Sequence, residues 1–599
     1  MLKITSKIKN KVRALRKKIN FLEHLKNSIY TFAYYHCRIN EKVVFVESRT
    51  GEDLAGNMFR ITQGLQERNL KLYVAVKKGF ENKVQRLLKL AGIKNAILVE
   101  MYSHKYYYIL ATAKYLFNDV VFDWKYIKKS GQVYVNTWHG TPLKNLGYHV
   151  PGEQYLMGNG QRNLMMADYI AVPNKYCADR LISAYHLNNI FHGKLLYSGY
   201  PRNQVFFDAE NRKVVRQKLE LLNKKVYVYM PTWRGNHNNT SNAFISTMMD
   251  TFRYLDVYLT NDQIFYVKLH NMMRAQLDLS SFHHIREFPF EFEPYDILNC
   301  ADCLVTDYSS VFFDFACTQK KIILYVPDKD NYLQDRGMYM SIDELPFEQV
   351  FDAAELLQAL NSEEKNDYSQ FIHEYCIYDN KDCTANLLAH IMDGKKLCHE
   401  EKVVANEKKN IAVYAGNVMM KNGITTSIKN LLANLDPAKY NIYFTFYRKL
   451  TTAPCDFFEN IPKGISIFSI SSPFFPTFIE KFASVLQYKA NVNHVCVQKI
   501  LDKMYKREIK KLFYDAPFDA LIHFEGYGTN DTMPLFQHYP GKRVVFVHND
   551  MVQEICTRKN QNAFVLKRAY QNYDSIAVVS PDLIEPTVKV GAPKEKIKV

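Results

Sequence analysis

Short apolar runs, each followed by a polar loop and then a helix-patterned stretch, recur along most of this chain. That alternation constrains the fold more than any other feature. Lys42–Val46, Leu72–Val76, Ala96–Val99, Lys114–Phe117 and Val133–Val135 are continuous runs, with helical patterns over Met58–Gln66 and Lys83–Leu90 between them. A strand that is apolar on both faces belongs in a parallel sheet covered by helices on both sides. A second series runs through Tyr169–Val172, Lys194–Tyr197, Lys225–Tyr229, Ile264–Lys268, Cys303–Val305 and Ile322–Tyr325. A third begins at Asn410–Tyr414 and closes with Arg543–Val547 and Ser575–Val579. At 599 residues the chain exceeds what one core can organise. The expected class is α/β, with Rossmann-like domains over 41–160, 161–398 and 410–599 and a charged linker over 399–409.

Residues 1–40 read differently. Residues 1–26 hold nine Lys/Arg and a single acid, Glu23, so they supply +8 of the net charge of +17. Ile4, Ile8, Val12, Leu15, Ile19 and Leu22 recur every three or four residues among those cations. This pattern is a basic amphipathic helix suited to an anionic bilayer surface; the alternative is a solvated basic helix packed on the neighbouring domain. Charge gathered at one end argues against a nucleic-acid groove. No run of 18 apolar residues is present to span a membrane. The eleven cysteines are scattered, and the pair Cys300 and Cys303 has no second half to complete a zinc site. Reduced thiols and a peripheral position on the cytoplasmic face of a membrane are expected.

Two loops stand out. Trp138-His139-Gly140-Thr141-Pro142-Leu143-Lys144 follows one strand-like run, and Thr306-Asp307-Tyr308-Ser309-Ser310 follows another. Ligands of open α/β sheets bind at such carboxyl ends, so one loop per half points to a cleft between two domains.

Further short motifs join them in order: Gly56-Asn57, Gly147, Gly199-Tyr200-Pro201-Arg202-Asn203, Met230-Pro231-Thr232-Trp233-Arg234, Lys268-Leu269-His270, Ala301-Asp302 and Arg336-Gly337. Over roughly 42–390 this set resembles the CDP-glycerol glycerophosphotransferase family, the teichoic-acid primases and polymerases. Gln204 stands where that family often has Asp, and Asn271 follows His270 where Pro is usual. The resemblance implies a GT-B-like pair of domains, an acceptor half and then a donor half. It implies transfer of glycerol phosphate, or a related polyol phosphate, from CDP-glycerol or CDP-ribitol. The implied acceptor is a lipid-linked saccharide or a polyol-phosphate chain.

Such chemistry needs a base for the attacking hydroxyl, neutralisation of phosphate charge and in-line positioning. His139 is the candidate base; its alternative is a structural histidine bonded to nearby backbone. His270 is a second cleft histidine, placed to stabilise the departing CMP phosphate. Ser309 and Ser310, at a loop-to-helix junction, are assigned to the diphosphate; simple N-capping is the compatible alternative. Thr306 belongs to the same donor loop, and Asp307 orients it or accepts from a sugar hydroxyl. Arg234 and Arg336 offer cationic forks for phosphate oxygens, against surface ion pairs as the alternative. Gly56, Asn57 and Lys144 are assigned to the acceptor side. No metal cluster is visible and no cofactor is called for; a divalent ion is compatible with phosphoryl transfer, but nothing in the sequence demands one.

Residues 410–599 resemble the amino-terminal, acceptor-binding half of GT-B glycosyltransferases, through Asn422-Gly423-Ile424, His548 and Ser580. Two further readings compete with the transferase: a nucleotide-sugar glycosyltransferase, and a non-catalytic membrane-bound assembly module.

Overall fold

The computed structural model describes residues 21–152, 156–232, 234–236, 239–240, 242–268, 277–289, 291–329, 337–364, 367–416, 423–447, 460–470 and 473–599. They form three parallel-sheet Rossmann-like domains preceded by a helix over 21–36.

The first domain is built on β1 (Asn40–Glu47), β2 (Lys71–Val76), β3 (Ala96–Glu100), β4 (Ala113–Asn118), β5 (Val133–Asn136), β6 (Tyr169–Val172) and β7 (Lys194–Tyr197). The second uses β8 (Lys225–Met230), β11 (Gln263–Val267), β12 (Ile285–Glu287), β13 (Cys303–Thr306), β14 (Lys321–Tyr325) and β15 (Glu348–Val350). A two-strand ribbon, β9 (Gly235–Asn236) and β10 (Asn239–Thr240), projects after β8. β16 (His399–Lys402) precedes the third domain, which contains β17 (Lys409–Tyr414), β18 (Tyr440–Tyr447), β19 (Ile465–Ile470), β20 (Ala520–His523), β21 (Lys542–Val547), β22 (Ser575–Val578) and β23 (Ile597–Lys598).

The sheet orders are β16-β7-β6-β5-β4-β1-β2-β3, β12-β11-β8-β13-β14-β15 and β19-β18-β17-β20-β21-β22-β23. All pairings in them are parallel except β16 on β7. Strand order therefore reverses between β1 and β4 in the first sheet, β8 and β13 in the second, and β17 and β20 in the third. These reversals open the crevices where such folds take ligands.

Two sequence boundaries change. β6 and β7, expected in a 161–398 domain, complete the first sheet. His399–Lys402, expected in a linker, pairs antiparallel with β7. The apolar rhythm marks the longer buried strands but not which sheet each joins, and it passes over short or edge strands such as β12, β15 and β16. The chain passes into the second domain after β7 and returns through the helices Ser369–Tyr375 and Cys383–Met392; Thr384 and Leu388 of the latter pack against Gly64 of the first domain.

The third domain is fused to the first by a shared apolar core that includes Tyr30, Trp124, Phe475 and Phe513. The joint is also hydrogen-bonded. Gln161 Nε2 donates to the Ile467 carbonyl (2.9 Å), Ser469 N–H to the Tyr148 hydroxyl (3.2 Å), and Ile467 N–H to His186 Nδ1 (2.6 Å). The helix over 21–36 lies across the joint. Asn27 Nδ2 donates to the Pro476 carbonyl (3.1 Å), and the Tyr30 hydroxyl accepts from Ile127 N–H (2.7 Å). The helix over 21–36 thus packs on the joint through one side; residues 1–20, which carry most of the basic stripe, lie outside the described residues.

Candidate active site

His139 sits at the carboxyl end of β5, beside the β1/β4 reversal. Two backbone features aim it. Trp138 adopts φ 51°, a costly conformation for a bulky residue, and its N–H is held by Asn136 Oδ1 at 2.8 Å. Its indole then stacks on the imidazole, with centroids 4.3 Å apart. His139 Nδ1 lies 2.9 Å from the Asp119 carbonyl oxygen. A carbonyl only accepts, so Nδ1 carries the proton and Nε2 keeps its lone pair. His139 is exposed to solvent, while the protein packed around its ring desolvates it. That desolvation, assisted by Arg49 and Arg202, lowers its pKa to about 4 and keeps it neutral at physiological pH. Asp119 also anchors the loop after β1: its carboxylate accepts from Arg49 N–H (2.9 Å) and the Ser48 hydroxyl (3.2 Å).

Beneath this loop is a buried polar network. Arg202 donates from Nη1 to the His139 carbonyl (2.9 Å) and from Nη2 to Asp314 Oδ2 (2.8 Å). Its guanidinium lies 4.5 Å from the Tyr200 ring centroid and 5.1 Å from that of Tyr295. The Tyr295 hydroxyl donates to Asp314 (2.6 Å), and Asn203 Nδ2 donates to both Asp314 (3.2 Å) and Asp379 (3.0 Å). Arg202 and Asp314 are 4% and 3% exposed, so each charge depends on the other. Arg202 and Asn203 lie in a motif legible in the sequence; no sequence signal marked Asp314 as their partner.

Gly56 and Asn57, expected on the acceptor side, are buried and internally bonded. Gly56 N–H donates to Glu293 Oε1 across the domain boundary (2.9 Å), and Asn57 Oδ1 accepts from Arg202 N–H (3.3 Å). Asn57 Nδ2 reaches the Trp138 carbonyl at 3.4 Å. Asn57 thereby ties the His139 loop to Arg202, and Gly56 ties the first domain to Glu293 of the second. Lys144 is half-buried in a segment that bridges the domains; its neighbour Asn145 N–H donates to the Gly337 carbonyl (2.9 Å).

The second loop follows β13, at the β8/β13 reversal. The Thr306 hydroxyl donates to the Met230 carbonyl (2.8 Å), which ties the two strands. Asp307 is buried and accepts from Thr232 N–H (2.8 Å) and Oγ1 (2.7 Å), while Arg234 Nη2 lies 2.9 Å away. Arg234, expected to grip donor phosphate, spends its fork on protein. Nε donates to Asp328 (2.7 Å) and Nη1 to the Thr232 carbonyl (2.6 Å), between the Phe244 and Tyr308 rings. Two neighbouring carboxylates, Asp307 and Asp328, thus hold the Arg234 guanidinium against the loop. Ser309 and Ser310 remain half-buried at its tip.

The two loops meet. A Cβ added at Gly140 would stand 3.1 Å from Ser310 Oγ and 3.5 Å from Arg202 Nη2. Lys268 comes to the same region from β11. Burial lowers its pKa to about 8, with Arg49 and Lys83 acting in the same direction and Glu293 and Asp53 opposing. Arg49, at the rim, and Lys268 are cleft cations to which no role was assigned from sequence; Lys268 was visible only as part of its motif. His270 and Arg336 lie outside the described residues.

Asp302 and Asp307 do not form a metal pair: Asp302 is bound by Arg212 and Arg216, and Asp307 by Thr232 and Arg234. Cys300 and Cys303 share no metal geometry either. Among the described residues, the side chains that converge as metal ligands would are Cys317, Cys376 and Asp379. Their thiols already donate, to Asp379 Oδ2 (3.5 Å) and to the Phe313 carbonyl (3.1 Å).

Residues 28–393 match the family described as CDP-glycerol:poly(glycerophosphate) glycerophosphotransferase. The chain is a member of that family. It is similar to the teichoic acid poly(glycerol phosphate) polymerase of Bacillus spizizenii, 27% identical over 376 residues, covering 59% of this chain and 92% of that one. It is also similar to the teichoic acid glycerol-phosphate transferase of Staphylococcus aureus, 29% identical over 392 residues, covering 62% and 95%. The poly(ribitol-phosphate) polymerase of Bacillus spizizenii is 25% identical over 390 residues, covering 61% and 59%. Among solved structures, the wall teichoic acid polymerase TagF shares the fold with a TM-score of 0.55 and 24% identity, covering 65% of this chain and 98% of that one. The match fixes the GT-B-like pairing of the first two domains. As a CDP-glycerol glycerophosphotransferase-family enzyme, the chain carries the matched segment in its first two domains, and the third domain lies outside it.

Proposed function

We propose that this enzyme transfers glycerol phosphate, or a related polyol phosphate, from a CDP-linked donor to a hydroxyl of a membrane-borne acceptor in teichoic-acid or capsular polymer synthesis. The single observation that carries the reading is the juxtaposition of a neutral His139, its Nε2 lone pair unprotonated, with the Ser310 loop across the cleft.

In this reading the acceptor hydroxyl gives its proton to His139 Nε2 as its oxygen attacks the phosphorus that bears the polyol. The bond from that phosphorus to the CMP oxygen breaks, and CMP departs with the electron pair. Ser309 and Ser310 supply hydroxyl and backbone donors to the diphosphate, and Lys268 and Arg49 supply positive charge. His270 and Arg336 keep their proposed roles at the departing CMP phosphate and the donor. Lys144 serves acceptor phosphate. The protein works as a peripheral enzyme on the cytoplasmic face of the membrane.

Purified enzyme supplied with a lipid-linked acceptor should release CMP from CDP-glycerol or CDP-ribitol, with a mass increase of the acceptor equal to one polyol phosphate per turnover. Consumption of nucleotide sugars alone would overturn the assignment.

A further inference from the structure

The helix Phe478–Lys489 of the third domain is inside out. Its buried side carries Glu480 and Gln487, 7% and 1% exposed, whereas Ile479 and Phe482 on the outside are 66% and 65% exposed. Amphipathic helices of globular proteins place these classes the other way round. The buried polar groups are satisfied: Glu480 pairs with Arg507 at 2.6 Å and caps its own helix through Thr477, and Gln487 Nε2 donates to Asn493 Oδ1 at 2.8 Å. The orientation is therefore built in, and it leaves Ile479, Phe482 and Val485 facing outward beside Lys481 and Lys489.

The helix over 21–36 extends this face. Phe21 lies 4.9 Å from Phe478, centroid to centroid, and the Ser28 hydroxyl accepts from Phe478 N–H at 3.3 Å. Phe21 and Phe32 on that helix are themselves exposed. Contiguous exposed apolar surface of this kind marks a contact with something other than water.

Charge identifies the contact. Lys481 and Lys489 are exposed on the same helix, and Lys499 and Lys503 on the helix Val495–Phe513 packed beside it. Lys503 lies over the Tyr35 ring at 4.7 Å, and none of the four ammonium groups is paired with an acid among the described residues. The nearby acids are spent: Glu23 on Lys125, Glu480 on Arg507, Asp502 on Arg568 and His538. Residues 1–20, which lead directly into this face, carry eight Lys/Arg and no acid. Aromatic and aliphatic side chains ringed by uncompensated lysines fit the headgroup region of an anionic bilayer.

We infer that the third domain and the helix over 21–36 together form a membrane-docking face for anionic lipid, so that attachment does not rest on residues 1–20 alone. This inference is independent of which polyol phosphate is transferred.

The test is co-sedimentation of the full chain with phosphatidylcholine vesicles, with and without phosphatidylglycerol. The double substitution Ile479→Glu, Phe482→Glu should lower partition onto the anionic vesicles by at least about ten-fold, the scale expected when two apolar side chains lose their burial. It should leave thermal melting and CMP release on a water-soluble acceptor unchanged. Removal of residues 1–20 should weaken partition without abolishing it, and adding the double substitution to that deletion should abolish it. Unchanged partition of the full-length double variant overturns the inference. So does a double variant that turns a dimer into a monomer in sedimentation velocity while keeping its partition, because a second copy would then be what covers this face.

Discussion

A methyl group placed on Gly140 would come within 3.1 Å of the Ser310 hydroxyl. Two loops some 170 residues apart in sequence, on different domains, therefore close on one another with no room to spare.

Gly140→Ala should fold and yet lose kcat/KM, because the crowding pushes the Ser310 loop and the Arg202 fork by a few tenths of an ångström. In a Ser310→Ala background the added cost of Gly140→Ala should shrink. A double-mutant cycle on CMP release measures this coupling; strictly additive effects would mean that the two loops do not touch in the working enzyme.

His139→Ala should lower kcat by roughly 10²-fold or more, the scale of a positioned general base, with little change in donor KM. Steady-state CMP release decides it, and near-normal turnover would remove His139 from the reaction.

The pH–rate profile should have two limbs. His139 is a base only when unprotonated, so turnover should fall as pH drops through about 4. Lys268 is a cation only when protonated, so donor affinity should fall as pH rises through about 8. In Lys268→Met the alkaline limb should disappear while the acid limb stays in place.

Arg202→Ala leaves Asp314 buried without its cation and should destabilise the fold by about 3–5 kcal/mol, read from denaturant melts. Arg202→Lys should recover only part of this, because one ammonium cannot hold both the His139 carbonyl and Asp314 in a planar fork.

The α/β class, most strands of the first two sheets and the two loops were legible because apolar runs ending in polar turns depend on local sequence. What the loops do with their side chains was less so. Asp307 reads in the sequence as orienting its loop or accepting from a sugar hydroxyl, and in the structure it accepts from Thr232 and pairs with Arg234. Arg234 reads as a phosphate fork, and its pairing with Asp328, 94 residues away, is not legible locally. Gly56 and Asn57 read as a motif, but their partners Glu293 and Arg202 come from distant segments that the local sequence does not announce. Arg49 escaped notice because its place in the cleft depends on a left-handed turn, φ 44°, that its residue type does not announce. Domain edges were misread at β6, β7 and β16 for a similar reason: sheet membership is decided by the crossover, not by the run itself.

The apolar joint between the first and third domains bears on how this protein can be taken apart. Cutting the gene at the end of the family match, near residue 393, would strip Tyr30 and Trp124 of the cover provided by Phe475 and its neighbours. The catalytic pair would then be produced with a raw oily flank and a prospect of aggregation. For this chain the segment shared with the family and the segment that covers its own apolar surface are different lengths of polypeptide.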